Sequence, residues 1–574
     1  MPTTLAEALV GSLARSGVRR IYGITGDSLN SVADAVRRDG TISWVHTRHE
    51  EAAAFAAAAE AYLTGALAVC AGSCGPGNLH LINGLYEAHR DRVPLLAIAS
   101  QIPTAEIGSN YFQETHPQEL FRECSAYVEL VLDAAQFPAV YARAVRTAVA
   151  QRDVAVLVLP GDVGWQRLEG ELPSVPTATG AVGPTPSDAD LGRLASWLNE
   201  GERVTILAGA GCAGAHDELM EVARALHAPV VHALRGKESV EPNNPFDVGM
   251  TGLLGFSSGY VAMERADTLL IVGSDFPYRA FYPEKARIAQ IDARGEQIGR
   301  RTRVDLGVVG DAATTLRALV PRLARRSADD HLRASLDHYH KAREDLDRLA
   351  VPAPDGESLH PQFVARTIDQ LAGPDAIFTC DVGTPTLWAA RYLSMNGRRR
   401  LLGSFNHGSM ANALPQAIGA QLVSPDRPVI ALSGDGGLSM LLGELLTLRQ
   451  HRLPVKVVVF NNGALGFVEL EMKAAGLLEY ATDLVETDFA AIARAAGLRG
   501  IRVESSSALR PALEEAFAAP GPAVVDVRVN RLELSKPPKL AWAEVSGFSL
   551  YLMKAVLSGQ GDEVVELGKR ALFG

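Results

Sequence analysis

The sequence has few cysteines for a chain of 574 residues, and those it has are spaced irregularly. They are Cys70, Cys74, Cys124, Cys212 and Cys380. No second pair of cysteine or histidine residues stands at a spacing that would complete a zinc site with the first two. This pattern predicts reduced thiols in a cytoplasmic protein rather than a disulfide framework.

Long apolar segments and an excess of positive charge are also missing. No stretch reaches the ~18 apolar residues that a membrane-spanning helix needs, and residues 1–20 lack the apolar core of a signal peptide. The formal net charge is −11, whereas a general nucleic-acid-binding protein needs a basic surface. We therefore expect a soluble protein that at most attaches to a membrane surface, and no nucleic-acid partner.

Short apolar segments alternate with helical patterns along the whole chain, which is typical of parallel α/β sheets. Linkers rich in proline and glycine separate three segments. We predict an α/β fold of three domains, each a mainly parallel sheet with flanking helices, followed by a short helical tail. The expected bounds are 1–180, 187–345, 360–530 and, for the tail, 531–574. Predicted strands include 66–71, 94–99, 154–160, 204–209, 268–273, 428–433 and 455–461.

The most informative motif follows two of these strands. One ends at Asp435, which glycines flank and which precedes a predicted helix at 441–448, and the other ends at Asn462. Because the carboxyl ends of adjacent parallel strands meet at one edge, these oxygens could bind Mg²⁺ and a diphosphate, with the carbonyl of Ala464 as a third ligand. The glycines would let the diphosphate approach the backbone. Either half alone is more typical of an ordinary turn and strand end than of a metal site.

Together these features resemble the signature of thiamine diphosphate-dependent enzymes of the pyruvate oxidase and acetolactate synthase group. An alanine-rich segment at 49–60 predicts a helix with Glu50 at its start. In that family the matching glutamate hydrogen-bonds the pyrimidine ring of the cofactor and drives formation of the reactive ylid. The alternative is that Glu50 and Glu51 only complement the helix dipole, and we accept that interpretation for Glu51.

The resemblance covers both thiamine-binding domains, the first for the pyrimidine and the last for the diphosphate. It implies that Met410 holds the cofactor in its bent shape. The implied cofactor contacts are Glu50, Gly408, Ser409, Met410, Asp435, Gly436, Gly437, Asn462, Leu465, Gly466 and Phe467, with Asp435, Asn462 and Ala464 as metal ligands. Because the two halves of the site come from different subunits in the family, it also implies a homo-oligomer, with a dimer of dimers as the expected homotetramer.

The middle domain contains a weak dinucleotide fingerprint at 209–214. The acidic residue expected about 20 positions later is missing, so the site is a poor one for NAD. In the pyruvate oxidase group this domain holds FAD. The segments that resemble its contacts are Thr251, Gly252, Leu253 and Leu254, then Ser274, Asp275, Phe276, Pro277 and Tyr278, and finally Asp292. The alternative is a middle domain without a nucleotide, as in some relatives.

Longer runs resemble the quinone-linked pyruvate dehydrogenases of this group, also called pyruvate oxidases. They are 111–124, 232–238, 405–412, 547–551 and 558–567. Carried over by position, Phe112 and Gln113 line the substrate pocket, Phe467 lies between thiamine and flavin, and Glu471 completes the pocket. Composition alone would assign both phenylalanines to ordinary core packing. The resemblance implies oxidative decarboxylation of pyruvate to acetate and CO2, with electrons passing through FAD to a membrane ubiquinone.

In these relatives the tail binds lipid when substrate reduces the flavin, which implies peripheral attachment to the inner face of the cell membrane. Charges after residue 547 cancel here, so such binding would depend on apolar area. Two other activities stay open. One is an acetolactate synthase-like carboligase with redox-silent FAD, and the other is an oxidase that uses phosphate and oxygen to make acetyl phosphate. A catalytically inactive binding protein is the alternative from another class.

Overall fold

The computed structural model describes residues 3–178 and 183–533 of the chain. It contains three six-stranded parallel sheets and one two-stranded antiparallel sheet. The three large sheets follow one another along the sequence, which confirms the predicted α/β fold with three parallel-sheet domains. The tail helix was predicted within 531–574, and residues 534–574 lie outside the described part. The exact domain bounds stay predictions.

The first sheet has the strand order β3-β2-β4-β5-β7-β6, and β1 pairs with β8 beside it. Helix α1 starts with a capping box between Thr4 and Glu7, which satisfies main-chain N–H groups at its first turn. The elements are β1 Thr3–Thr4, α1 Leu5–Arg15, β2 Arg20–Gly23, α2 Asn30–Asp39, β3 Ser43–His46, α3 Glu50–Thr64, β4 Ala68–Gly72, α4 Pro76–Asp91, β5 Leu95–Gln101, α5 Pro117–Leu120, β6 Tyr127–Leu130, α6 Phe137–Gln151, β7 Val154–Pro160 and β8 Arg167–Leu168.

The second sheet has the order β11-β10-β9-β12-β13-β14. Its central strands are apolar and fully buried, as expected for a parallel sheet covered on both faces. The elements are α7 Asp188–Glu200, β9 Val204–Ala208, α8 His216–Leu226, β10 Val230–His232, α9 Lys237–Val240, β11 Asp247–Met250, α10 Ser257–Glu264, β12 Thr268–Val272, β13 Arg287–Asp292, β14 Leu306–Val309, α11 Ala312–Leu319 and α12 Asp330–Leu349.

The third sheet has the order β16-β15-β17-β18-β20-β19. The predicted helix at 441–448 is displaced, because one helix starts at Asp435 directly after the strand and a second starts after Gly443. The elements are α13 Pro361–Leu371, β15 Ile377–Cys380, α14 Thr384–Tyr392, β16 Arg400–Gly403, α15 Ala413–Val423, β17 Val429–Gly434, α16 Asp435–Met440, α17 Glu444–His451, β18 Lys456–Asn461, α18 Gly466–Ala474, α19 Phe489–Ala495, β19 Arg499–Val503, α20 Ser506–Ala518 and β20 Ala523–Arg528.

The first and third domains pack against each other through α3 and α15. A Cβ atom on Gly419 would lie 2.1 Å from the carbonyl oxygen of Ala56, so only glycine permits this close approach of the two helices. One buried apolar cluster continues from one domain into the other across this contact. The alanine-rich helix is therefore an interdomain helix, and its first residue, Glu50, lies close to the boundary between domains.

Two composition-based expectations can be checked directly. All five cysteines are buried and unbridged, as predicted. Within the described ranges, no helix is both long and apolar enough to cross a membrane.

Candidate active site

The predicted metal site lies at one edge of the third sheet. Strands β17 and β18 are hydrogen-bonded neighbours with Gly434 opposite Phe460, so Asp435 and Asn462 emerge side by side. The main-chain N–H of Gly463 donates to Oδ2 of Asp435 at 2.7 Å, and that of Gly436 donates to Oδ1 at 2.9 Å. The two loops that carry the predicted ligands are thus joined directly.

Asp435 is a buried carboxylate held by main-chain donors. Burial raises its pKa, while the hydrogen bonds from Gly436 and Gly463 favour the ionised form. A divalent cation would stabilise the same ionised form. The donor set, a carboxylate beside amide and carbonyl oxygens, is what Mg²⁺ prefers.

The other two predicted ligands lie in the loop that follows β18. Oδ1 of Asn462 accepts from the main-chain N–H of Ala464 at 3.1 Å, and the carbonyl of Ala464 accepts from Gly466 at 3.0 Å. A Cβ atom on Gly466 would lie 2.9 Å from Nδ2 of Asn462, so a side chain here would displace the Asn462 amide. Residues 462–466 therefore form a compact loop whose polar groups fit a bound metal diphosphate.

The predicted pyrimidine loop reaches this edge. A Cβ atom on Gly436 would lie 3.2 Å from Cε of Met410 and 3.0 Å from Cδ2 of Leu465. Gly437 stands beside Oδ2 of Asp381, where a Cβ atom would lie 2.3 Å away. The third domain thus brings Met410, Gly436 and Leu465 together beside Asp435. Phe467 also lines a cavity with Thr384, Trp388 and Asn462.

Glu50 is the first residue of α3 and is only 5% exposed. Its Oε2 lies 3.0 Å from Nδ1 of His80, and a Cβ atom on Gly77 would lie 3.0 Å from its Oε1. The ring of His49 stacks on that of His80 at 4.3 Å. A buried carboxylate with an imidazole partner can exchange a proton with a bound heterocycle.

The structure separates the two predicted pocket residues of the 111–124 run. Gln113 has a φ of 64° and packs on Gly75, and its Oε1 accepts from the thiol of Cys74 at 3.4 Å. Phe112 points outward and is 78% exposed. Phe112 therefore does not line a pocket formed within this single chain.

The middle domain presents a glycine-rich edge at β9 and β12. A Cβ atom on Gly211 would lie 2.7 Å from Cα of Gly273, so the two loops touch backbone to backbone. Next to them, the buried hydroxyls of Thr251 and Ser274 have no hydrogen-bond partner among the described residues. Buried polar groups are normally paired, so these two fit a nucleotide that would satisfy them.

The remaining predicted FAD contacts surround this edge. Phe276 packs on Gly252, where a Cβ atom would lie 2.8 Å from its ring. The side chain of Asp275 is occupied by Arg301 at 2.7 Å, so it would offer a ligand its backbone rather than its carboxylate. The others are Leu253 and Tyr278, which are partly exposed, Leu254, Pro277, and Asp292, which ends β13.

The middle domain contacts the third domain beside the predicted flavin segment. The guanidinium of Arg391, at the end of α14, donates to the carbonyls of Leu254 at 3.0 Å and Gly255 at 3.1 Å. Burial, and then the charge of Glu471, raise the pKa of Tyr278. The predicted flavin segment at 251–254 therefore lies against α14, which also lines a cavity with Phe467.

Sequence reasoning missed three polar residues at these sites, His80, Asp381 and Glu444. Asp381 accepts from the main-chain N–H groups of Ala413 at 2.9 Å and Gly434 at 3.3 Å, and burial raises its pKa to about 7. It follows strand β15 at the same edge as Asp435, so its position after an apolar strand was a usable signal. Nothing local in the sequence marks Glu444.

Known proteins match the whole described chain. The N-terminal TPP binding domain of thiamine pyrophosphate enzymes matches residues 3–120, their central domain matches 191–319, and their C-terminal TPP binding domain matches 381–527. A putative thiamine pyrophosphate-containing protein of Bacillus subtilis is 36% identical over 571 residues, covering 99% of this chain and 98% of that protein.

Two relatives with named activities are similarly close. The pyruvate oxidase of Lactiplantibacillus plantarum is 33% identical, over 89% of this chain and 86% of its own length. The acetolactate synthase large subunit of Parasynechococcus marenigrum is 32% identical, over 93% and 88%. Matches of this extent, together with the site geometry, show that the chain belongs to the thiamine pyrophosphate-dependent enzymes of the pyruvate oxidase and acetolactate synthase superfamily.

Proposed function

We propose that the protein oxidatively decarboxylates pyruvate to acetate and CO2, with thiamine diphosphate, Mg²⁺ and FAD as cofactors and a membrane quinone as electron acceptor. In this reaction pyruvate and water give acetate, CO2, two protons and two electrons. The observation that carries the proposal is the contact of Arg391 on α14 with the carbonyls of Leu254 and Gly255 in the predicted flavin segment, since α14 also lines a cavity with Phe467. It supports electron transfer between two cofactors held on either side of that contact.

The thiamine cofactor would supply the nucleophilic carbon for the keto group, and FAD would accept the two electrons. The chain's own residues would do the rest. Asp435, Asn462 and Ala464 would hold the metal and diphosphate, and Met410 would orient the rings. Glu50 would hold a proton at the pyrimidine nitrogen, with His80 fixing the orientation of its carboxylate through the 3.0 Å contact.

The proposal extends to a homo-oligomer. Phe112 is 78% exposed in the single chain, beside a loop that the family places over the substrate. A second subunit that covered this side chain would bury its apolar surface, which is favourable. A dimer of dimers, and attachment of the tail to a membrane, remain parts of the same proposal.

A carboligase is the second candidate, since the identity to an acetolactate synthase nearly equals that to a pyruvate oxidase. Product analysis with ¹³C-labelled pyruvate separates the two. The proposal expects acetate, with one CO2 released for every two electrons delivered to an added quinone. Acetolactate without net electron transfer would establish the carboligase, and acetyl phosphate formed only with phosphate and oxygen would establish the oxidase. The Glu50→Gln variant is the control for thiamine-dependent turnover.

A further inference from the structure

Glu50 is positioned by a short turn. Strand β3 ends at His46 and α3 begins at Glu50, so three residues set the direction in which the helix starts. Within the turn, Thr47 is buried and its hydroxyl donates to the carbonyl of His49 at 3.0 Å. His49 is the N-cap, and its Nδ1 accepts from the main-chain N–H of Glu51 at 3.2 Å. A change in this turn would therefore turn the carboxylate of Glu50.

The turn is held from the other thiamine domain by Glu444, the first residue of α17. Oε1 of Glu444 accepts from the main-chain N–H of Arg48 at 2.8 Å. Oε2 accepts from the hydroxyl of Thr447 at 2.7 Å, which fixes the carboxylate in place. Glu444 is only 1% exposed. Glutamate side chains are rarely buried to this extent, because removing a carboxylate from water costs free energy unless hydrogen bonds compensate for it.

The electrostatics of Glu444 agree with an anchoring role. Burial raises its pKa, and the hydrogen bonds from Thr447 and from the main-chain N–H groups of Arg48 and His49 act in the opposite direction. Two of these three donors are main-chain groups of the turn, so the carboxylate recognises the backbone conformation itself, and the charge of Arg48 lowers the pKa further.

The rest of α17 supports the same contact. The guanidinium of Arg48 donates to Oε1 of Gln450 at 2.5 Å, and Nε2 of His451 lies 3.3 Å from the carbonyl of His46. Ala52, one turn into α3, packs with Ala411 and Leu441. Segment 441–451 of the third domain therefore follows the turn along its whole length.

We propose that Glu444 is a positioning residue for Glu50: it holds turn 47–49 from the diphosphate domain, so that α3 starts with the carboxylate of Glu50 directed at His80 and Gly77. This inference rests on the proposed function, because it assumes that Glu50 activates the thiamine ring. It also means that the folding of one thiamine domain sets the geometry of the acid–base group on the other.

The test measures exchange of the C2 proton of bound thiamine diphosphate with deuterium, by NMR after acid quench at saturating cofactor. Glu444→Ala removes the acceptor, and Glu444→Met removes it without leaving a cavity. Glu444→Gln keeps one oxygen in the same place. Gln450→Ala is the matched control, because it removes a side-chain contact to the same turn and leaves the main-chain anchor intact.

We expect Glu444→Ala and Glu444→Met to slow the exchange by about 100-fold, as a displacement near 1 Å of a catalytic group does. Glu444→Gln should restore at least a tenth of the normal rate, and Gln450→Ala should change it less than about 3-fold. The affinity for thiamine diphosphate should stay near normal, because its anchor lies elsewhere in the domain.

Exchange in Glu444→Met within about 3-fold of the unmodified protein would overturn the inference. So would loss of cofactor binding in both the Ala and Met variants, since that would assign Glu444 to the fold or to the cofactor anchor. A normal exchange rate in Glu50→Gln would instead contradict the proposed function, independently of any result at position 444.

Discussion

The main-chain N–H of Gly463 donates to Oδ2 of Asp435 at 2.7 Å, and this bond joins the loops that follow two neighbouring strands. Gly463 has a φ of 69°, a conformation that glycine adopts without strain. The bond leaves Asp435 oriented towards the loop at 462–466 before any metal arrives. Ligands that are oriented in advance in this way are expected at a site that binds Mg²⁺ and a diphosphate.

Replacement of Asp435 by asparagine tests this arrangement. The amide keeps the size of the side chain but places an N–H donor opposite the N–H of Gly463, and it removes the negative charge that would face the metal. We expect Mg²⁺-dependent affinity for thiamine diphosphate to fall by about 100-fold, measured by titration of protein fluorescence. Asp426→Asn, at an exposed position in the same domain, is the control and should bind normally. Equal affinity in both variants would contradict the metal assignment.

Replacement of Glu50 by glutamine should separate cofactor binding from cofactor activation. General acid–base groups contribute about 10²–10⁴-fold, so turnover should drop by at least about 100-fold while thiamine diphosphate still binds. Stopped-flow and steady-state rates measure the loss. Glu51→Gln is the control at the neighbouring position, because the carboxylate of Glu51 accepts from Asn83 at 2.6 Å and is not assigned to proton transfer. A similar loss in both variants would show that only the helix start matters.

Among the described residues, the buried hydroxyls of Thr251 and Ser274 lack a hydrogen-bond partner, and their removal should affect protein stability and FAD affinity differently. Thr251→Val and Ser274→Ala remove no hydrogen bond within the described protein, so the FAD-free protein should melt at the same or a higher temperature. FAD affinity should fall by about 3–10-fold for each, the value of one hydrogen bond.

Ser258→Ala is the matched control for these two variants. Its buried hydroxyl donates to the carbonyl of Val248 at 2.8 Å, so its loss should lower the melting temperature and leave FAD affinity unchanged. If Thr251→Val and Ser274→Ala behave like this control, the two hydroxyls serve the fold and not the nucleotide.

Acid sensitivity should come in part from His331. Burial, followed by the charge of Arg203, lowers its pKa from 6.5 to about 4, and its Nε2 lies 2.9 Å from the hydroxyl of Thr205. In the unfolded chain His331 binds a proton below about pH 6.5, whereas in the folded chain it binds one only below about pH 4. Stability is therefore fully present above pH 6.5 and falls as the pH drops through this window.

Calorimetry at pH 7 and pH 5 measures this effect. The melting temperature of the unmodified protein should decrease by a few degrees more than that of His331→Gln, whose side chain does not titrate. The two proteins should converge as the pH rises. Parallel decreases in both would show that other groups carry the acid sensitivity.

The sequence was sufficient for features that local patterns encode. Asp435 and Asn462 could be placed together because each follows a continuous apolar strand, and parallel strands end at a common edge. Glu50 could be placed at a helix start because alanines follow it. The predicted helix bounds were less accurate at 435–451. There the structure has one helix that starts at Asp435, directly after the strand, and a second that starts after Gly443.

Contacts between distant segments could not be predicted. Glu444 and Arg48 meet only because two domains pack through α3 and α15, and neither residue has a local signature. The exposure of Phe112 has the same origin, since a pattern of residues does not show whether a pocket closes within one chain. Asp381 is intermediate, because its place after β15 is local but its bonds to Ala413 and Gly434 are not.

The central claim, transfer of electrons from decarboxylated pyruvate to FAD, is tested most directly by an anaerobic absorbance spectrum. The purified protein with thiamine diphosphate and Mg²⁺ should show a flavin band at about 450 nm that bleaches when pyruvate is added, because the flavin carries the electrons. A band that persists while pyruvate is consumed would contradict the claim and favour a carboligase with passive flavin. The absence of any flavin band would show that the purified protein does not hold FAD.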